Sequence, residues 1–365
     1  MMQTTTFYFA LGRPLAPLYS AAMRLREAGY RRGILKTHRF EVPVISVGNL
    51  TLGGTGKTPM VQCLARLLQA HGFQPAIISR GYGGLARGKV NLVSDGANLL
   101  LDARAAGDEP RLLAETLPGI PVLTGIVRRL PAREAVAMGC DVLILDDGFQ
   151  HLQIARDIDL VLFQADRLAG NSRVFPGGEL REPVAALRRA TGFILTGVHA
   201  QNRERSQQFA ALLQTRFPGT PVSLTGYRLS ATVGLTASGM IAECSRPALA
   251  GARCFGFCGI AHPASFQETL ERTGCTLAGF APLGDHQRYS AALIEKIASQ
   301  ARRAGAEFLV TTEKDLVKLA PFSADLPLPL VGLRMAVIVD QDLEEQILTR
   351  VRQGESSAGP GRPGS

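Results

Sequence analysis

The stretch TLGGTGKT, residues 51–58, constrains this chain more than any other. It follows the apolar run Val44–Val47 and precedes a helical pattern that starts at Lys57, the strand, loop and helix order in which a glycine-rich turn cradles phosphate. Thr51 stands where the usual GxxxxGK[ST] pattern has its first glycine, but GGxGKT keeps the part that touches phosphate. Glycine lets the main chain approach closely, so the N–H groups of Gly53–Thr58 can converge on phosphate oxygens at the helix N-terminus. In such a loop Lys57 reaches the β and γ phosphates and Thr58 ligates Mg²⁺. Thr51, Leu52, Gly53, Gly54, Thr55, Gly56, Lys57 and Thr58 are therefore the candidate nucleotide-binding residues.

The surrounding pattern gives the fold that such a loop requires. Apolar runs VPVISVG, QPAIIS, IPVLTG, DVLILDD, IDLVLFQ and GFILTGV alternate with helical segments, including residues 57–71, 128–138 and 200–215. Continuous Val, Ile and Leu runs separated by helices indicate parallel strands covered on both faces. The expected fold is α/β, a P-loop NTPase-like doubly wound parallel sheet with a second, smaller α/β domain. A second series supplies that domain: RCFGFCGI with helix 263–273, TLAGFAPLG with helix 290–304, EFLVTT, LPLVGLRMAVIV and helix 341–352. The expected organisation is a basic amphipathic helix region over 1–40 packed on the first domain, a nucleotide-binding domain over 41–225, a linker over 226–250, a second lobe over 251–352 and a disordered tail over 353–365. At 365 residues and 46% hydrophobic, the chain can bury a core in each domain.

Two acidic stretches give the loop something to work with. In DVLILDD, four apolar residues carry a strand into the core and deliver Asp146 and Asp147 at its C-terminal end, the edge where open parallel sheets bind ligands. In AGDEP, Asp108 and Glu109 stand at the start of a helix. Asp108 there fits either an N-cap with Glu109 as a first-turn acid, or a general base that takes a hydroxyl proton, as a kinase needs. The six cysteines show no disulfide spacing, and Cys254 and Cys258 read as buried core thiols rather than zinc ligands.

Eight blocks occur in a familiar order: VGNLTLGGTGKTP, SRGYGG, GDEP, DDGFQH, FPGGELREP, FCGIAHPASF, DHQRYS and TTEKDLVKL. Together they resemble tetraacyldisaccharide 4'-kinase, the lipid A pathway kinase of Gram-negative bacteria, over residues 10–350. The resemblance implies transfer of the γ-phosphate of ATP to the 4'-hydroxyl of a tetraacylated glucosamine disaccharide 1-phosphate, at the cytoplasmic face of the inner membrane. It implies ATP on Thr51–Thr58, Mg²⁺ near Thr58, Asp146, Asp147 and Glu109, and a catalytic Asp108 paired with His286. Lys57 and Asp147 join that catalytic set, while Arg128, Gln150 and Glu182 are candidate substrate contacts.

The alternative is a P-loop switch or assembly ATPase of the GGxGKT type. Such proteins often carry a lysine just before the two glycines, where this chain has Leu52.

The net charge of +9 suits an anionic partner. Aromatics are only 6%, with no Trp and no basic and aromatic interleaving, so nucleic acid is not expected. No apolar run approaches the ~20 residues that span a bilayer, and the N-terminus does not read as a signal peptide. The first forty residues hold seven Lys or Arg against a single acid, Glu27, around a helix expected over 14–36 with Leu18, Ala22 and Leu25 on one face. That helix fits a solvated element or a membrane contact equally well. The resemblance favours the membrane, because a four-chain lipid substrate stays in the bilayer. Expected partners are thus an anionic glycolipid substrate and a peripheral inner-membrane contact, with no obligate protein partner.

Overall fold

A computed structural model describes residues 8–236, 238–244, 249–261, 263–285 and 287–357. Its first half is built on eight strands: β1 (Val44–Asn49), β2 (Pro75–Ser79), β3 (Asn91–Ser94), β4 (Val122–Thr124), β5 (Val142–Asp146), β6 (Ile158–Gln164), β7 (Gly192–Thr196) and β8 (Val222–Leu224). They lie in the order β3-β4-β2-β5-β1-β6-β7-β8, all parallel except the edge strand β3. Every residue of β1, β2, β5, β6 and β7 is buried, which is why these strands read as unbroken apolar runs.

Helices cover both faces. Helix α1 (Ala16–Arg31) precedes the sheet, and α2 (Lys57–Ala70) follows β1. Helix α2 buries Met60, Val61, Leu64, Ala65 and Leu68, the three- and four-residue spacing of one helix face, against Ile45, Val47 and Ile144. Helix α3 (Asp108–Thr116) adds Leu113 to the same cluster. On the opposite face, α4 (Arg129–Ala137) sets Ala132 and Ala135 against Val44, Ile78 and Leu145. Helix α5 (Arg203–Arg216) packs beside Phe163 and Phe193.

The second sheet holds β9 (Gly226–Leu235), β10 (Ile241–Glu243), β11 (Arg253–Cys258), β12 (Thr276–Pro282), β13 (Phe308–Thr312) and β14 (Leu330–Ile338), in the order β10-β9-β14-β13-β11-β12. Helices α6 (Pro263–Glu271) and α7 (Ala291–Arg303) cover its two faces, and α8 (Glu313–Leu319) follows β13 directly. Cys254 and Cys258 lie in this core, and no group of three His, Cys, Asp or Glu side chains able to hold a metal occurs among the described residues.

Three boundaries differ from the sequence expectation. Residues 226–250, expected as a linker, supply β9 and β10, because β9 pairs antiparallel with β14 over nearly its whole length. The last helix, α9 (Gln341–Ser357), expected in the second lobe from its position in the chain, returns to the first sheet. Its Leu343, Ile347, Leu348 and Val351 join the cluster of Ile45, Met60 and Ile144. It also continues five residues into the segment expected as tail, of which residues 358–365 lie outside the described residues. Helix α1 ends at Arg31 rather than near residue 36.

Candidate active site

Parallel pairing brings the two sequence signals together. Strand β1 lies beside β5 with Val47 opposite Asp146, so the glycine loop and the acidic pair emerge at one sheet edge. Asn49, fully buried at the end of β1, donates to Thr51 O at 2.7 Å and accepts from Lys57 Nζ at 3.1 Å. It thereby ties the start of the loop to its lysine.

Thr51 needs no glycine because this part of the loop is extended, not turned. It bridges Leu180, with Leu52 N donating to Glu179 O at 2.7 Å and Arg181 N donating to Leu50 O at 2.8 Å. The Leu52 amide is spent on that bond with Glu179 O. Gly56 caps α2 at φ +79, a conformation that L side chains rarely adopt, and a Cβ there would lie 1.9 Å from Tyr227 Oη. Tyr227 belongs to β9, so the second sheet buttresses the loop. Thr196 Oγ1 completes the support by donating to Thr55 O at 2.8 Å.

The two aspartates divide their work. Asp147 lies between two cations, with Arg181 Nη1 at 2.9 and 2.8 Å from its oxygens and Lys57 Nζ at 3.6 Å. Burial opposes its ionisation, but Lys57, Arg181 and Arg128 outweigh that and hold its pKa below the ordinary carboxylate value. Asp146 is 2% exposed and accepts from Ser79 Oγ at 3.1 Å through Oδ2, while its buried Oδ1 has no hydrogen-bond partner. Burial, followed by the charges of Glu109 and Asp147, pushes its pKa up to about 6.

Asp108 is the first residue of α3 and not its cap. The cap position falls to Gly107, at φ +95, where a Cβ would meet Tyr82 O at 2.6 Å. The N-cap alternative for Asp108 is therefore excluded. Glu109 Oε1 accepts from Lys314 Nζ at 2.9 Å, and Lys314 also lies in the field of Asp285 and Asp108. His286 lies outside the described residues; Asp285 immediately before it belongs to this cluster.

The three substrate candidates have partners within the protein. Arg128 is buried and donates to Asp147 O at 2.9 Å. Gln150 Nε2 donates to Asn49 O at 2.9 Å, and the Gln150 carbonyl accepts from Arg26 of α1 at 2.9 Å. Glu182 accepts from Arg189 at 2.6 Å and lies 3.8 Å from Arg26. Gln150 thus ties α1 to the end of β1, and Glu182 ties α1 to Arg189 while its buried Oε1 accepts no hydrogen bond.

A family model described as tetraacyldisaccharide-1-P 4'-kinase matches residues 8–352. This chain belongs to the tetraacyldisaccharide-1-P 4'-kinase family. A tetraacyldisaccharide 4'-kinase from Desulfotalea psychrophila is 47% identical over 95% of this chain and 98% of its own length. One from Syntrophus aciditrophicus is 42% identical over 92% and 91%. Among solved structures, LpxK from Aquifex aeolicus in complex with ATP superposes with a TM-score of 0.75 at 30% identity, covering 93% of this chain and 98% of that one. Within this 4'-kinase chain, sequence reasoning missed Asn49, Arg181, Thr196, Tyr227 and Lys314 as neighbours of the site. Asn49, Arg181 and Lys314 sit inside the quoted blocks, where a polar residue ending a buried strand or flanking an acid was the available signal. Thr196 and Tyr227 carried none.

Proposed function

We propose that this protein transfers the γ-phosphate of ATP to the 4'-hydroxyl of a tetraacyldisaccharide 1-phosphate. The observation that carries the reading is the convergence of Lys57, Asp146, Asp147 and Glu109 at one sheet edge, with Asp108 next in the chain to Glu109. An assembly switch needs the first three groups but has no use for a carboxylate base beside them.

In this reading Asp108 accepts the proton of the 4'-hydroxyl as its oxygen attacks the γ-phosphorus. The bond to the bridging oxygen breaks, ADP leaves, and His286 orients Asp108 and relays the proton onward. Lys57 and the loop amides from Gly53 to Thr58 bind the phosphates. The unpartnered Asp146 Oδ1 suits a divalent cation, and Asp146 with Thr58 would hold Mg²⁺, with Glu109 and Asp147 as the neighbouring carboxylates. A Mg²⁺ held there would supply charge neutralisation at the phosphate oxygens.

The membrane contact belongs to α1. No helix among the described residues is long and apolar enough to cross a membrane. Leu18, Arg24, Leu25 and Arg31 of α1 are exposed, as are Leu11 and Leu15 before it and Arg32 and Lys36 after it. Leucines to enter the acyl boundary and cations to meet anionic head groups are what an interfacial helix requires. This supports peripheral attachment at the cytoplasmic face of the inner membrane.

The test is phosphoryl transfer by purified protein from ATP to the acceptor lipid in mixed micelles, with and without the acceptor. Asp108→Asn is expected to lower kcat by roughly 10²- to 10⁴-fold while ATP affinity stays nearly constant. ATP hydrolysis that ignores the acceptor, or a loss confined to ATP affinity, refutes the assignment.

A further inference from the structure

Within the block TTEKD, Thr312 and Asp315 bond each other, while Glu313 and Lys314 reach different elements. The block forms the corner from β13 into α8. Thr312 Oγ1 caps α8 by accepting from Asp315 N at 3.1 Å and donates to Asp315 Oδ2 at 2.8 Å. Asp315 Oδ2 also accepts from Gly259 N at 2.9 Å, and Asp315 lies 2.7 Å from the buried Lys318 ammonium. Glu313 pairs with Arg334 of β14 at 2.5 Å. Lys314 alone leaves the second sheet, reaching Glu109 on α3 at 2.9 Å.

The corner therefore touches the phosphate site from two sides. Through Asp315 it holds the Gly259–Ala261 turn, and the Ala261 methyl lies 3.3 Å from where a Cβ on Gly54 of the glycine loop would stand. Through Lys314 it holds the first turn of α3, where Asp108 sits. Behind that ion pair, Leu112 of α3 packs with Leu316 and Val317 of α8, and Glu115 accepts from Ile241 N of β10 at 3.0 Å. Helix α3 is thus seated on both sheets, with Leu113 in the first core and Leu112 in the second.

We infer that Lys314 is a positioning residue for phosphoryl transfer: its ion pair with Glu109 fixes the first turn of α3, and with it Asp108, against the glycine loop. The inference rests on the kinase reading above. Its ammonium is mostly shielded from solvent, so the pair is less screened than a surface bridge, and a displacement of about 1 Å at a reacting group costs on the order of 100-fold in rate.

Lys314→Met keeps the stem and removes the charge; Lys314→Arg restores the charge. Acceptor phosphorylation under ATP and acceptor titration is compared with hydrogen exchange at amides 108–113. Lys314→Met should lower kcat by roughly 10- to 100-fold, with KM for ATP changed less than about threefold, and Lys314→Arg should recover most of that loss. Exchange at 108–113 should accelerate in Lys314→Met and return toward wild type in Lys314→Arg. If Lys314→Met does not fold, Lys314→Gln carries the same expectations. A kcat within about threefold of wild type, unchanged exchange, or no rescue by arginine overturns the inference. A wild-type protein that transfers nothing to the acceptor overturns the kinase reading instead, and the exchange comparison still decides whether Lys314 holds α3.

Discussion

Helix α2 buries Met60, Val61, Leu64, Ala65 and Leu68 under the first sheet, whereas α1 leaves Leu18, Ala22 and Leu25 in solvent and turns Arg26 and Glu27 toward the protein. Both helices carry an apolar stripe at helical spacing. In α1 the stripe is 72% and 74% exposed at Leu18 and Leu25, and the helix is held instead by polar ties. Tyr19 donates to Arg181 O at 3.0 Å, Arg26 to Gln150 O at 2.9 Å, and Glu27 pairs with Arg189 at 3.0 Å. An apolar stripe at helical spacing therefore does not by itself say whether it packs into the chain's own core.

The start of α2 should break most severely. Gly56→Ala forces an L side chain into positive φ and onto Tyr227 Oη, and is expected to weaken ATP binding by roughly 100-fold in calorimetry. A change below about fivefold would mean that the loop yields without cost.

The contrast between the stripes can then be read as stability. Leu64→Ala should cost about 2–5 kcal/mol in urea unfolding, and Leu18→Ala about 0.5 kcal/mol or less. Similar losses at both positions would show that α1 is packed on the protein in solution. The complementary measurement is vesicle sedimentation: Leu18→Ser with Leu25→Ser should reduce binding to anionic vesicles by roughly tenfold or more while leaving the melting temperature unchanged. Unaltered vesicle binding would remove α1 as the contact.

The smallest effect concerns the segment to which α1 is tied. Burial, then Arg128, Arg156 and Arg26, depress the His151 pKa from 6.5 to about 3. The native state thus prefers neutral His151, and the stability this gives is present above pH 6.5 and is lost as pH falls from there toward 3. His151→Gln should shrink the drop in melting temperature between about pH 7.5 and about pH 5 by roughly 2 °C. An equal drop in both proteins would assign the acid sensitivity elsewhere.

Much of the first sheet was legible because its signals are local. The buried runs of β1, β2, β5, β6 and β7 each announce a strand, and the glycines ahead of Lys57 announce the turn. That Asp146 and Asp147 come to the end of a buried strand was legible because they follow such a run. What failed was assignment by chain order. The extended stretch after residue 225 looked like a connection because its partner, β14, lies about a hundred residues further on. Leu343, Ile347, Leu348 and Val351 showed a helix face, but nothing in their spacing names the sheet they bury against.

The sequence by itself determined the buried strands of the first sheet and the helix after the glycine turn, where the backbone turns at Gly53–Gly56, and which carboxylates and cations are available. These depend on side-chain periodicity and backbone freedom over a few residues. Only the tertiary structure decided that Val47 pairs with Asp146, that Tyr227 supports Gly56, and that Lys314 reaches Glu109 across 205 positions of chain. Such pairings are chosen by burial and charge neutralisation summed over the whole fold, and residues so far apart in sequence carry no local trace of each other.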